Sequence, residues 1–388
     1  MTKEYVGYRT LTYVTDAAER ARALYRVRQG LLIQPVPGYF ISTQAWKELS
    51  VDTKIVLRIC AAAALRPREV LCSVSAAAVL GAISWPRFHH HIHFASDTHV
   101  DMHEGKRSIC MHHCIKNTRV DDDIVLGMST YVVERILQNA ENLYDQYQSI
   151  NDTVGIVLGI LVTSPLQTMF DVARQLPFEN ALQICDMLAR IYQISQDDIS
   201  QFLDTRKGCR GLTYARYMLS FVRMDSDNGG ESYARARMIL AGFVIPDVQV
   251  TLPNPFYNPA RGDVPTIQNT KTLRVDFCWD MKKKDGTTAR IVAELDGQSK
   301  YTDEDILEKS GATGESDVAL KERDREGALT QMDMRIVRFQ FFEASHNDGA
   351  QMVRKLQIAG VPTVSEGQIR RRRRWLRDYA QKHRMKLD

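Results

Sequence analysis

The chain has 388 residues, 44% hydrophobic and 25% charged, with a net charge of +4. This length suggests two or three domains, and the composition is that of an ordinary globular protein, not a disordered or fibrous one. No apolar run reaches the ~18 residues that a membrane helix needs, and Met1 to Tyr5 open no signal-peptide core. The expectation is a cytoplasmic protein without a membrane partner. Seven cysteines, an odd number without regular spacing, argue against a disulfide framework and for a reducing compartment.

In chain order, residues 16–28 read as a helix carrying Arg20, Arg22, Arg26 and Arg28. A turn at Gln29 and Gly30 and short strands at 31–34 and 39–42 follow. A basic helix feeding a two-stranded ribbon is the coarse pattern of a winged helix, whose recognition helix enters the major groove. A small capping subdomain with surface arginines is the plainer reading. Residues 51–65 predict an apolar helix, and 70–82 a second, rich in small residues for close packing, with Gly81 at its end. Eight of the ten histidines come next: His89, His90, His91, His93, His99, His103, His112 and His113, accompanied by Cys110 and Cys114. Four zinc ligands need tetrahedral closure, and no Cys-x-x-Cys pair recurs here. His91 and His93 alternate with Ile92 and Phe94 as in a half-exposed strand, so the polar faces of a small β-layer are favoured over zinc binding or pH sensing.

Residues 130–146 predict a helix, and the stretch at 154–162 is the most apolar of the chain. Residues 164–174, 177–193, 197–205 and 210–223 read as a helical region with Leu188, Ile191 and Tyr192 in its core. Single acids on amphipathic helices are usually surface groups, which is the expectation for Asp171 and Asp186. Residues 225–230 are the clearest linker.

The strongest chemistry lies at 273–301. Val275, Phe277 and Trp279 alternate with Arg274, Asp276 and Cys278, and Ile291, Ala293 and Leu295 alternate with Val292, Glu294 and Asp296. These are two strands of period two, joined by a turn with the hairpin signal Asp285–Gly286. A two-residue loop would set Asp276 opposite Leu295. A three-residue loop, Lys284 to Gly286, sets Asp276 opposite Glu294 and keeps the apolar residues on one face, which favours that register. Opposed residues have Cβ atoms roughly 5 Å apart, so two carboxylates there repel unless a cation lies between them. With Asp296 two residues on and Lys300 beyond, the set Asp276, Glu294 and Asp296 has the composition of a divalent-metal site for phosphodiester chemistry. The plainer reading is a pair of acids on the solvent face of a hairpin. Residues 310–317 read as a mobile loop that lacks the lysine of a phosphate-binding P-loop.

Charge concentrates at the C-terminus. Residues 369–388 hold seven Arg and two Lys against two Asp, a balance of +7, so residues 1–368 carry −3. Arg370, Arg371, Arg372, Arg373 and Arg374 form an unbroken run, and Leu376, Tyr379 and Ala380 recur at helical spacing. A basic helix contacting nucleic-acid phosphates and a solvated, frayed tail are the two readings.

These segments carry a resemblance. Arg274–Phe277 followed by Val292–Tyr301 is similar to the PD-(D/E)XK nuclease core of the very-short-patch-repair type, and more specifically to the C-terminal domain of actinobacterial AbiEi-type antitoxins of type IV toxin–antitoxin systems. Gly230–Arg235 with Leu240–Phe243, then Lys321–Asp324, Leu329 and Ile336–Phe339, resemble the helices and strand that flank that core. Residues 25–40 resemble the wing of the family's N-terminal domain, and Ser73–Gly81 its middle region. The resemblance implies Glu231, Asp276 and Glu294 as acidic site residues, with Gln298 and Lys300 as candidates for orienting or activating water. The family's lysine usually stands two residues after the second acid, where this chain has Asp296.

The expected architecture is an α/β multidomain chain. It comprises a winged-helix-like segment (1–45), a small α+β middle region (46–165), a helical connector (166–226), a restriction-endonuclease-like α/β domain (227–350) and a basic C-terminal helix (351–388). Three functions stay open. One is a DNA-binding antitoxin-like regulator, with a nucleotidyltransferase-type toxin as its partner. The second is an active Mg²⁺-dependent DNA endonuclease. The third is an inert interaction protein. No organic cofactor is expected.

Overall fold

The computed structural model describes residues 10–97, 110–116, 118, 143–258, 271–282, 288–296, 325, 327–332 and 334–379. They form a mixed α/β protein, and no helix among them is long and apolar enough to cross a membrane. The chain divides into two compact units, one holding Met1–Leu176 and Met187–Met224, the other Pro177–Asp186 and Asp225–Arg384.

The first unit opens with β1 (Thr12–Tyr13), α1 (Ala17–Arg28), β2 (Leu32–Val36) and β3 (Tyr39–Ser42), the strands forming an antiparallel sheet in the order β1-β3-β2. Asp16 caps α1 by accepting from Glu19 N at 2.8 Å, satisfying one of the donors left over at a helix start. Gly38 turns the ribbon at φ +87°, and a Cβ there would stand 2.7 Å from the Tyr13 ring. After α2 (Thr43–Glu48) come α3 (Val51–Leu65) and α4 (Ser73–Val79). Every residue of α4 is buried, which is what its Ala and Ser side chains permit.

β4 (Ile92–Ser96) pairs in parallel with β5 (Cys110–Cys114). Ile92, His93, Phe94 and Ala95 are all buried, so β4 is covered on both faces and is not the half-exposed strand its alternation suggests. His89 is also buried, and its Nε2 accepts from Ser84 N at 3.3 Å. Residues 98–109 and the side chains of β5 lie outside the described residues, and so does most of the helix expected at 130–146, of which α5 (Leu143–Gln146) is the end. β6 (Tyr147–Ser149), β7 (Val154–Val157) and β8 (Ile160–Thr163) are antiparallel neighbours. The apolar stretch is thus a hairpin, turned by Leu158 and Gly159 at φ +49° and +82°.

The helices α6 (Pro165–Gln175), α7 (Phe178–Ile191), α8 (Gln196–Thr205) and α9 (Leu212–Leu219) follow closely where periodicity sets them. The unit division falls within α7. Asp171 and Asp186 are not surface groups. Both are about 1% exposed. Asp171 accepts from Arg174 at 2.5 Å and Gln167 at 3.0 Å, and Asp186 accepts from Arg235 at 2.6 Å. Arg174 stands three residues from Asp171 on the same helix, whereas the guanidinium that lets Asp186 go inside comes from 49 positions away and shows only in the fold.

In the second unit α10 (Gly229–Ala241) precedes β9 (Asp247–Pro253), β10 (Thr272–Lys282), β11 (Thr288–Asp296) and β12 (Met334–Gln340), in the sheet order β12-β11-β10-β9. The β9–β10–β11 run is an antiparallel meander, and β12 joins β11 in parallel after a helical segment at 327–331. β10 pairs with β11 from Phe277↔Ala293 to Lys282↔Thr288, the register that the three-residue loop implies. Residues 283–287 of the turn lie outside the described residues.

Each face of the sheet carries a core. On one, Phe277, Trp279, Ile291, Ala293, Val337 and Phe339 pack with residues of α10 and of α11 (Phe341–Ser345) and α12 (Ala350–Ala359). On the other, Leu252, Leu273, Val275, Cys278 and Val292 meet Ala328 and Leu329. Residues at 273 and 275 therefore serve one core while those at 277 and 279 serve the other. The switch falls at Asp276, beside Gln249, which takes a left-handed φ of +53°. β10 does not keep its apolar residues on one side as simple alternation suggests, because the sheet is clad on both.

The described C-terminal arginines, at 370–374 and 377, lie on helical turns and are not uniformly exposed. α13 (Glu366–Arg372) continues into a π-helical turn over Arg373–Tyr379. Arg372 is buried and donates to Ile239 O at 3.2 Å and Phe243 O at 2.7 Å, with Leu376 buried beside it.

Candidate acidic site

The strands β10 and β11 stop pairing at Phe277↔Ala293. One further step in this register sets Asp276 across from Glu294, and there the ladder gives way to a side chain. Asp276 Oδ2 accepts from Leu295 N at 2.9 Å. The β11–β12 register adds Arg338 beside Glu294, and the β9–β10 register brings Gln249 level with Asp276. One row across four strands thus reads Gln249, Asp276, Glu294, Arg338.

Glu231 reaches this row from the first turn of α10. It is held by Asn228 Nδ2 at 2.5 Å, Gln249 Nε2 at 2.7 Å and Asp227 N at 3.1 Å. The asparagine also caps α10, accepting from Glu231 N at 3.0 Å, so the helix start and the acid are fixed by one residue. Burial pushes the Glu231 carboxyl up to about 7, and the neighbouring Asp276 carboxylate adds to the rise. Glu294 is buried, 3% exposed, and so is not an acid on a solvent face. Its Oε1 accepts from Arg325 Nη2 at 2.6 Å, and the same guanidinium nitrogen donates to Arg274 O. Arg274 in turn pairs with Asp227. Asp296 stands 3.7 Å from the Arg338 guanidinium.

The fold thus brings Glu231, Asp276 and Glu294 to one end of the sheet and leaves Asp296 turned to Arg338. Gln298 and Lys300 lie outside the described residues. As arranged, the described acids do not fit a bound divalent ion. Among the described residues no group of three His, Cys, Asp or Glu is gathered to hold one, Glu294 is engaged by a guanidinium, and Asp276 by a backbone N–H. Sequence reasoning missed Arg325, Gln249 and Asn228. Arg325 stands 31 residues from Glu294 in the chain, just past the quoted segment ending at Asp324. No strand or helix period connects the two.

The expected DNA-contacting arginines divide by exposure. On α1, Arg22 and Arg28 are exposed and Arg20 and Arg26 half-buried, with Tyr25 59% exposed among them. At the C-terminus Arg370, Arg371, Arg373 and Arg374 are exposed, while Arg372 is an internal hydrogen-bond donor.

No family model matches the chain, and no solved structure does. Two curated relatives do, the uncharacterized proteins MT2308 and Rv2248 of two strains of Mycobacterium tuberculosis, CDC 1551 and H37Rv. Each is 31% identical over 137 residues, which is 35% of this chain and 46% of the relative. The matched region therefore spans less than half the length of those relatives.

Proposed function

We propose that this is a DNA-binding regulator of the AbiEi antitoxin type, whose second unit has a PD-(D/E)XK-like fold used for binding rather than cutting. The observation that carries this reading is the state of the acid pair. Glu294 is held by Arg325 at 2.6 Å and Asp276 by Leu295 N at 2.9 Å, so the described site is balanced by the protein's own groups. The order helix, three-strand meander, helical segment and parallel fourth strand supports the nuclease-like reading of the unit. The exposed Arg22, Tyr25 and Arg28 of α1, next to the β2–β3 ribbon, support a winged-helix-like DNA contact made through phosphates and the major groove. A nucleotidyltransferase-type toxin as partner and a cytoplasmic location belong to the same reading.

The test is a fluorescence-anisotropy titration of the full chain against the DNA upstream of its own reading frame and against scrambled duplex, at fixed salt. A regulator prefers the first by roughly 10³ or more. Equal affinity for both overturns the regulatory reading.

A second reading, a Mg²⁺-dependent endonuclease, is favoured by one observation. Burial, with the Asp276 carboxylate beside it, pushes the Glu231 carboxyl up to about 7, and a cation would relieve the part that comes from Asp276. Nicking of supercoiled DNA in Mg²⁺ or Mn²⁺ that disappears in Glu294→Ala would establish it. Neither selective binding nor nicking would leave the interaction protein.

A further inference from the structure

The second unit carries a concave site that neither reading of the acidic row uses. Among the described residues a cavity of about 350 Å³ opens between α10, the turn before α12, α12 itself and the π-helical turn Arg373–Tyr379. That volume suits a small molecule. The floor is apolar, made by Leu240 of α10, Val353 of α12 and the buried Leu376. The charge comes from three guanidiniums, those of Arg237, Arg373 and Arg377. Arg237 is built into the wall. Its side chain is 12% exposed and lies over the Tyr233 ring at 5.5 Å, with Glu179 at 3.4 Å and Asp348 at 3.0 Å. Its Nε is buried without an acceptor among the described residues, a donor left unanswered inside. Arg377 shares Asp348 at 3.5 Å, and the exposed Arg373 has no acceptor among the described residues. π-Helical turns recur at functional sites, and this one sets Arg373, Leu376 and Arg377 on the cavity side together. Three guanidiniums against Glu179 and Asp348 leave one positive charge uncancelled. The Asp348 carboxylate is 64% exposed and, among the described residues, is held only by Arg237 and Arg377.

We propose that this cavity binds a small phosphate monoester, its phosphate taken by Arg373 and Arg377 and its organic body lying on Leu240, Val353 and Leu376. A guanidinium offers phosphate two parallel N–H donors, and two guanidiniums four residues apart on one turn suit a terminal, doubly charged group. A duplex backbone meets arginines on an open surface, whereas a walled cavity of this size encloses a small molecule. Asp348 is the internal competitor, since its carboxylate already draws on Arg377. The inference goes beyond the regulatory reading and uses no residue of the acidic row.

The experiment is isothermal calorimetry of the purified full chain with phenyl phosphate and with inorganic phosphate at fixed ionic strength. The proteins are wild type, Arg373→Ala/Arg377→Ala and Asp348→Asn. Wild type should bind phenyl phosphate at least about threefold more tightly than inorganic phosphate, because the ring covers apolar surface. The double variant should lose about tenfold or more for both probes, the worth of a charged hydrogen bond. Asparagine tolerates the left-handed φ of +56° at 348 and removes the competing charge, so Asp348→Asn should gain about threefold or more. Damage to the fold cannot produce that gain. The proposal is overturned by a wild type that does not bind phenyl phosphate, by equal affinity for the two probes, by unchanged affinity in the folded double variant, or by an Asp348→Asn that binds no better. If the double variant does not fold, Arg373→Lys/Arg377→Lys replaces it. It keeps the charge and loses the paired donors, so about a threefold loss is expected, and no loss overturns the proposal. A duplex lacking terminal phosphates is the competitor: displacement of phenyl phosphate at equal phosphate concentration assigns the arginines to phosphodiesters and also overturns it.

Discussion

Glu231→Gln removes a charge from the acidic site while keeping the size of the side chain. In the native protein the carboxyl titrates at about 7 against an ordinary value of 4.5. A raised acid pKa means that the folded state holds a proton the unfolded chain has released. Between pH 4.5 and 7 the folded protein binds more protons, and stability falls as pH rises through that window. Below it both states are protonated, above it both are charged, and the contribution is flat. At about 1.4 kcal/mol per unit, a separation of roughly two and a half units costs the second unit about 3 kcal/mol by pH 8. Glutamine removes that cost. Its new N–H₂ also has an acceptor within reach, because Gln249 Oε1 is buried without a hydrogen-bond partner and sits on the amide that already meets Glu231 at 2.7 Å. Amide hydrogen exchange in β10 and β11, referenced to intrinsic exchange at each pH, reports the unit's own opening free energy. The variant should match wild type near pH 5 and exceed it by about 2–3 kcal/mol at pH 8. Parallel profiles across pH 4.5 to 8 would refute the raised titration of the Glu231 carboxyl.

Three further outcomes follow from the geometry. Arg372→Ala removes two hydrogen bonds from a charged donor to Ile239 O and Phe243 O. At about 1.5–3 kcal/mol per such bond the second unit should lose roughly 3–6 kcal/mol in urea titration, whereas Arg373→Ala on the exposed side should lose almost nothing. Gly242→Ala forces a side chain into a left-handed φ of +96° and sets its Cβ 2.8 Å from Ile369; with the conformational cost alone near 1–2 kcal/mol, chemical unfolding should show a loss of at least that size. His89, held near 4 by burial and by Arg58, works in the opposite sense to Glu231. The unfolded chain takes up a proton as pH falls from 6.5 to 4, so the first unit loses up to about 3 kcal/mol in that window, and exchange in β4 should show this for wild type and not for His89→Gln.

Much of the second unit can be read directly from the sequence because its signals are local. The Asp285–Gly286 hairpin signal in the sequence implies the β10–β11 register that the strands adopt, and Gly242 stands where α10 ends. What escapes reading is whatever a distant residue decides. Asp186 can be buried only because Arg235, 49 positions away, comes to meet it. β4 is buried throughout, its edge bridged by Leu71, which also bridges Val162, and no alternation within β4 reports that. The face switch at Asp276 falls beside the left-handed Gln249 of another strand. Arg325 is recognisable as a site residue only once the chain has returned to the sheet, whereas Arg372 reads as one more basic residue in a run although it is a core donor.

The parallel pairing of β12 with β11 has a consequence for how the second unit assembles. The β10–β11 hairpin closes through the five residues 283–287, but β12 can dock only once the 37 residues 297–333 have been spanned. By the logarithmic growth of closure entropy, a connection of that length costs about 2 kcal/mol more to close than a five-residue turn. β12 is then the last strand to arrive, and until it does β11 presents an unpaired edge beside the apolar Ile291 and Ala293. A ribosome stalled, or a protease acting, between Asp296 and Met334 would leave that edge permanently open, a template for pairing between chains. The final strand therefore determines whether the half-made unit stays a monomer or aggregates.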